Sequence, residues 1–249
     1  MDENIIRHRF QAMGCPCEIL LDSTDSALGD MQLEMALQEA RRIEEKFSRF
    51  RQGTIVDRIN KSDGKPVEVD EETAAILDYA AECYEMSNGL FDITRRAWDK
   101  VKWKRPYIQL PRGFEIDFGG ICKEFAADRI LSLLMKRYCV ATLVNLGGDI
   151  AVAGERLWSV GIEDPAHPGE IVRTIHLHEG GVATSGTTKR PGHILNPKTG
   201  QPATAGPRSV TIAARTCTEA GFWSTLAILH GAGAEAFLKE QSLEYWCYR

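Results

Sequence analysis

At 249 residues, with 26% charged and 43% hydrophobic side chains and a formal net charge of -5, the chain is long enough to bury an ample core without staples and carries no excess of positive charge for a phosphate backbone. Nucleic acid is therefore not an expected partner. The opening MDENIIRHRF puts acids where a secretory leader carries cations, and no stretch reaches the roughly 18 apolar residues of a membrane span. A cytoplasmic protein is expected, and the cysteines agree. Cys15, Cys17, Cys83, Cys122, Cys139, Cys217 and Cys247 are odd in number and scattered, unlike a secreted disulfide framework. Cys15-Pro16-Cys17 lacks the two-residue spacer common in zinc and thioredoxin-like sites.

In chain order, the segment from His8 to Leu21 is interrupted at Gly14 and Pro16, which predicts two short strands around a turn. From Ser26 to Phe50 the apolar residues Leu28, Met31, Met35, Ile43, Phe47 and Phe50 fall near helical spacing, with Ser26 available as N-cap. A second helix is expected over Glu71 to Ser87, ended by Asn88-Gly89, two residues that tolerate a left-handed turn. A third runs from about Lys123 to Arg137. The second half changes character: Ala141 to Val152, Trp158 to Glu163, Ile171 to His178 and Ser209 to Ala214 are β-rich runs separated by Gly and Pro. A helix from about Glu219 to Leu229 and a strand near Tyr245 complete the reading. No repeat, low-complexity tract or long linker divides the chain, so a single domain over 1–249 is expected, of α+β class rather than repeated βαβ units.

Glycine is needed where backbone turns sharply or approaches a ligand closely, and four segments carry it beside reactive residues. They are Asn88 to Thr94, Asp117 to Lys123, Asn145 to Asp149, and Ala183 to Thr187. In the second, a strand-like Glu115-Ile116-Asp117 meets two glycines and then a helix, so the free amides at the helix start are placed to face phosphate, with Lys123 as a cation. Alone it reads equally as a tight turn with a solvated lysine. Neither a Walker P-loop nor a GxGxxG fingerprint is present. His193 stands beside the turn-forming Asn196-Pro197-Lys198-Thr199-Gly200, and histidine as a residue type can change charge near neutral pH, which suits a general base. His8, His167, His176, His178 and His230 compete with it.

Taken together and in this order, these segments resemble the FAD:protein FMN transferase (ApbE-type) family, whose members move FMN from FAD onto a Ser or Thr of a target protein. Met13-Gly14 resembles an early Met-Gly element, and Phe47-Ser48-Arg49-Phe50 with Ile59-Asn60 resembles a helix-end region, Phe50 standing where the family often has tyrosine. Ser87 to Thr94 is similar to S-G-G-x-F-D-x-T, Asp117 to Lys123 to D-L-G-G-I-A-K, and Asn145 to Asp149 to x-x-G-G-D. Trp158 to Pro165 is similar to W-x-I-x-I-x-x-P, Ala183 to Gly186 to A-T-S-G, and His193 to Gly200 to H-I-I-D-P-x-T-G, with Asn196 replacing the aspartate. The resemblance implies a mixed T-fold-like domain with helices on a largely antiparallel sheet. It implies FAD held by Met13, Phe50, Leu90, Phe91, Asp92, Asp117, Lys123 and Leu195, with His193 as the base acting on a protein acceptor. It further implies Mg²⁺ held near Gly120, Ser224 and Thr225.

One position departs from the family pattern. The C-terminal A-D-A-x-x-T is here Ala220-Gly221-Phe222-Trp223-Ser224-Thr225, so Gly221 occupies the place of a metal-binding aspartate. Mg²⁺ is usually held through one or two carboxylates plus phosphates and waters, so the loss is expected to weaken metal binding unless Glu219, Asp149 or FAD phosphates compensate. Three readings stand open: FMN transfer to a Ser or Thr with release of AMP, a non-catalytic FAD- or FMN-binding protein, and hydrolysis of FAD to FMN and AMP.

Overall fold

The computed structural model describes residues 4–188 and 192–249; the opening Met-Asp-Glu lies outside the described residues. β1 (Ile5–Ala12) and β2 (Cys15–Asp22) form the predicted hairpin, and positive φ at both Met13 and Gly14 gives the tight turn its required handedness. α1 (Ser26–Phe47) is capped by Asp25, whose side chain accepts from the Leu28 amide. The helix ends short of Phe50: Ser48 turns extended, and its carbonyl accepts from Thr54 Oγ1 at the head of α2 (Ile55–Asn60). β3 (Val67–Glu68) precedes α3 (Glu71–Met86), which ends with Asn88 and Gly89 both at positive φ, as expected.

β4 (Lys102–Lys104) and β5 (Tyr107–Gln109) join β3 in a small antiparallel sheet that the sequence did not announce. After α4 (Cys122–Tyr138), the predicted run from Ala141 to Val152 is two strands, β6 (Thr142–Leu146) and β7 (Asp149–Ala153). They turn at Gly147-Gly148, where φ is positive twice. There follow β8 (Trp158–Glu163), β9 (Ile171–Leu177), β10 (Gly180–Gly186), β11 (Ser209–Ala214), α5 (Cys217–Leu229), α6 (Ala234–Glu240) and β12 (Glu244–Tyr248).

The main sheet has seven strands in the order β1-β2-β6-β7-β10-β11-β12, every neighbouring pair antiparallel. Its central strands are buried on both faces, which explains the apolar runs Leu143-Val144 of β6 and Ile150-Ala151-Val152 of β7. Val144, Leu146, Ala151, Ala183 and Ile212 face the layer of α1, α4 and α5. Leu143, Ile150, Val152 and Val182 face away and pack on Trp158, Val160, Ile162 and Ile175 of the β8–β9 hairpin. Helices therefore cover one face and a two-stranded sheet the other.

β10 lies against the start of α5 so closely that a Cβ added at Gly181 would sit 2.0 Å from the Cys217 nitrogen and 2.4 Å from its Cα. Both obstacles are backbone, so neither rotates away. Gly181→Ala is expected to cost about 3 kcal/mol, the upper part of the overpacking range, and to lower the melting temperature by about 6–12 °C. A melt within about 2 °C of wild type would show that strand and helix part without penalty.

Candidate active site

The glycine-bearing segments converge where the starts of α4 and α5 meet β7 and β10. The Asp117 amide donates to the Ile93 carbonyl at 2.8 Å, which draws the 90–94 loop beside the turn that precedes α4. Within that loop Asp92 folds the backbone: Oδ1 accepts from the Thr94 amide at 2.7 Å and hydroxyl at 2.6 Å, and Oδ2 from the Trp98 amide at 3.3 Å. Leu90 is half-buried against the core. Phe91 is buried edge-on against Phe222 of α5, with ring centroids 5.4 Å apart. A Cβ added at Gly120 would lie 3.6 Å from the same Phe91 ring.

Asp117 accepts from the Gly119 amide at 2.9 Å and from the Arg49 and Arg95 guanidiniums at 3.0 Å each. Burial acts to raise its carboxyl, but the amide and the two cations outweigh it and hold it below the usual carboxylate range. Asn60 fixes the preceding residue by exchanging two hydrogen bonds with the Ile116 backbone. Arg49 and Arg95 were not singled out from the sequence. Their only signal was position, one at the end of α1 and one just past the Phe91-Asp92-Ile93-Thr94 run.

α4 begins at Ile121 without a side-chain cap, whereas α1, α2, α3 and α5 each have one. Its first-turn amides and the exposed Gly120 backbone therefore present donors and the positive end of the helix dipole to an anion. Lys123 in that turn pairs with Asp149, which is 4% exposed at the head of β7. Burial would lower the ammonium, but Asp149 overrides it and Lys123 is pushed up to about 12. Gly147 fits tightly in the same turn, because a Cβ there would meet Cys15 Sγ at 2.8 Å. This brings the Met13-Gly14 hairpin alongside, and the Met13 amide donates to Glu44 of α1 at 3.0 Å.

On the α5 side, Ser185 Oγ of β10 lies 2.9 Å from both Ser224 Oγ and Thr225 Oγ1, a knot of three hydroxyls. Ser224 also donates to the Gly221 carbonyl at 3.1 Å. Glu219 faces Arg215, with its carboxylate 3.4 Å from the guanidinium in the first turn of α5. A residue overlooked in the sequence is Glu124, which lies in the first turn of α4 and is 7% exposed. Burial and then the Asp149 charge push its carboxyl up to about 8, while Lys123 acts to lower it. It heads a stripe with Ala127, Ile130 and Leu134, all buried, so an acid on an apolar helix face was the available clue.

Phe50 stands at the rim, 91% exposed, with the Arg49 guanidinium 5.6 Å from its ring. His193 is exposed on the connection between β10 and β11. Its neighbour Ile194 packs on the core and accepts from the Ala203 amide at 2.9 Å, while Leu195 bridges Pro202. Asn196 closes the turn: its carbonyl accepts from Thr199 and Gly200, and its side chain from the Lys198 amide at 2.9 Å. Of the competing histidines, His167 pairs with Asp164, His176 with Ser159, His178 with the Glu155 carbonyl, and His230 stacks on Phe237. His8 sits on β1 beside Gly29 of α1.

The ApbE family matches residues 13–101 and 95–247 of this sequence. An FAD:protein FMN transferase of Klebsiella pneumoniae is 33% identical over 138 residues, covering 52% of this chain and 42% of that protein. The aligned part thus spans less than half of that relative. The ApbE protein of Thermotoga maritima superposes with a TM-score of 0.89 at 25% identity, covering 98% of this chain and 94% of the other. A flavinyl transferase ApbE of Pseudomonas stutzeri superposes at 0.84 and 18% identity, covering 98% and 90%, and so supports the fold.

Proposed function

We propose, from the premise that this chain belongs to the ApbE family, that it transfers FMN from FAD to a Ser or Thr hydroxyl of a target protein and releases AMP. The observation that carries this reading is the convergence of the 90–94 loop, the uncapped start of α4, Lys123 and the Ser185–Ser224–Thr225 hydroxyls on one place. The α4 amides and Lys123 receive the diphosphate of FAD. Met13, Phe50, Leu90, Phe91, Asp92, Asp117 and Leu195 line the dinucleotide, and Arg49 and Arg95 keep Asp117 ionised and oriented. The whole 249-residue chain serves as one such domain. Seven cysteines, none of them in a disulfide among the described residues, support a reducing, cytoplasmic setting, and no helix among the described residues is long and apolar enough to cross a membrane.

In the reaction, the acceptor oxygen forms a bond to the FMN phosphorus as the bond from that phosphorus to the bridging oxygen breaks. AMP leaves with the bridging oxygen. His193 takes the hydroxyl proton, and its exposed loop suits an acceptor as large as a protein. Among the described residues no group of three or more His, Cys, Asp or Glu is arranged to hold a metal. The Ser224 and Thr225 hydroxyls with the Gly120 backbone are hard donors of the sort Mg²⁺ accepts beside one or two carboxylates. When bound, Mg²⁺ would neutralise diphosphate charge as the bond breaks.

The test is incubation of the full chain with FAD, Mg²⁺ and an acceptor protein carrying a target Thr, followed by intact mass. A covalent FMN adduct is expected, reduced by about 100-fold or more in EDTA. Free FMN without an acceptor would replace transfer by hydrolysis, and bound FAD that never turns over would leave a flavin-binding protein.

A further inference from the structure

Gly221 lies in the interior of a 13-residue helix and is buried. Glycine there costs about 1 kcal/mol relative to alanine, so a packing reason is expected, and Glu124 supplies it. A Cβ added at Gly221 would meet Glu124 Cγ at 2.6 Å, Oε1 at 2.9 Å and Cδ at 3.0 Å. The glutamate of α4 thus fills the volume in which a side chain at 221 would begin. Its Oε2 is fully buried and has no hydrogen-bond partner among the described residues. A carboxylate oxygen withdrawn from water without a partner is costly.

The stretch of α5 that follows Gly221 carries hydroxyls. Ser224, one helical turn beyond Gly221, is hydrogen-bonded to the Gly221 carbonyl and to Ser185. Thr225 shares Ser185 Oγ. On the α4 side Lys123 pairs with Asp149 rather than with Glu124 Oε2.

We propose that Glu124 is a metal ligand that supplies, from α4, the carboxylate that Gly221 removes from α5. The ion so held is a hard divalent cation, coordinated by one carboxylate together with hydroxyl and substrate phosphate oxygens. The proposal rests on the flavin-transfer reading of this site and relocates its metal ligand. It also differs from the family pattern described above, in which an aspartate at the position of Gly221 holds the metal. Beside Glu124 that aspartate has nowhere to go.

The experiment titrates MnCl₂ into the metal-free full chain with and without FAD, following free Mn²⁺ by electron paramagnetic resonance. FAD affinity in EDTA and melting temperature are measured in parallel. Glu124→Gln, which keeps the volume, is expected to weaken Mn²⁺ binding at least about tenfold while leaving FAD affinity in EDTA unchanged. Gly221→Asp alone is expected to melt lower and to bind Mn²⁺ no better. Glu124→Ala with Gly221→Asp is expected to regain both the wild-type melt and most of the Mn²⁺ affinity. Wild-type Mn²⁺ binding that Glu124→Gln leaves intact would overturn this ligand assignment alone, with Glu124 then a neutral buried carboxyl. A wild-type chain that binds neither FAD nor Mn²⁺ would overturn the flavin-transfer reading and this inference with it.

Discussion

His193→Ala is expected to slow flavin transfer by about 10²–10⁴-fold, the range attributed to a positioned general base, while FAD affinity stays within about threefold of wild type. The asymmetry follows from where the histidine stands. It is exposed on the β10–β11 connection, whereas the phosphate-facing amides and Lys123 belong to α4. The loop keeps its shape without the imidazole, because Ile194 packs on the core and Asn196 closes the turn through its own carbonyl and side chain. Single-turnover adduct formation by intact mass, with FAD binding by fluorescence quenching, separates the two quantities. Equal losses of binding and rate would make His193 a ligand-binding residue and leave the base unassigned.

The second large effect concerns stability. Lys123→Met leaves the carboxylate of Asp149, 4% exposed, without its ammonium partner and in the company of Glu124. Lys123 is 28% exposed and only the carboxylate is buried, so its removal is expected to cost about 3 kcal/mol, the low end for a buried pair. For a chain of this length the melting temperature should fall by about 6–12 °C. Adding Asp149→Asn is expected to return part of that loss while FAD binding remains impaired, since the amide is neutral but the cation facing the phosphates is still missing. A single variant that melts within about 2 °C of wild type would show that Lys123 is solvated and that Asp149 is held by other groups.

Much of this architecture was legible because the relevant signals are local. β8 and β11 occupy the predicted residues, and α3 and α5 differ from expectation only by a residue or two at their ends. The misses have physical causes. β10 escapes the sequence reading because Gly180, Gly181, Thr184, Ser185 and Gly186 leave it poor in apolar side chains; of its glycines, Gly181 admits α5, while Gly180 and Gly186 lie against the Ala214 and Arg208 carbonyls. β3, β4 and β5 are two or three residues long, and two of the three residues of β4 are exposed lysines, so no period can develop. α2 has six residues and depends on the Thr54 cap. The glycine turns of the site were visible as motifs, but the contact between Glu124 and Gly221 joins positions 97 apart on two helices. Each residue alone looks like an error: an acid on an apolar stripe, and a glycine inside a helix.

That contact also constrains how the site can change. With Glu124 present, any larger side chain at 221 is overpacked; with Glu124 truncated while Gly221 remains, the pocket is left with a void and no carboxylate. Moving between an aspartate on α5 and a glutamate on α4 by single substitutions must cross one of these two poorer intermediates. The two positions are therefore expected to show sign epistasis, each favourable residue being harmful until the other has changed, and variant libraries that sample one site at a time will score both as intolerant.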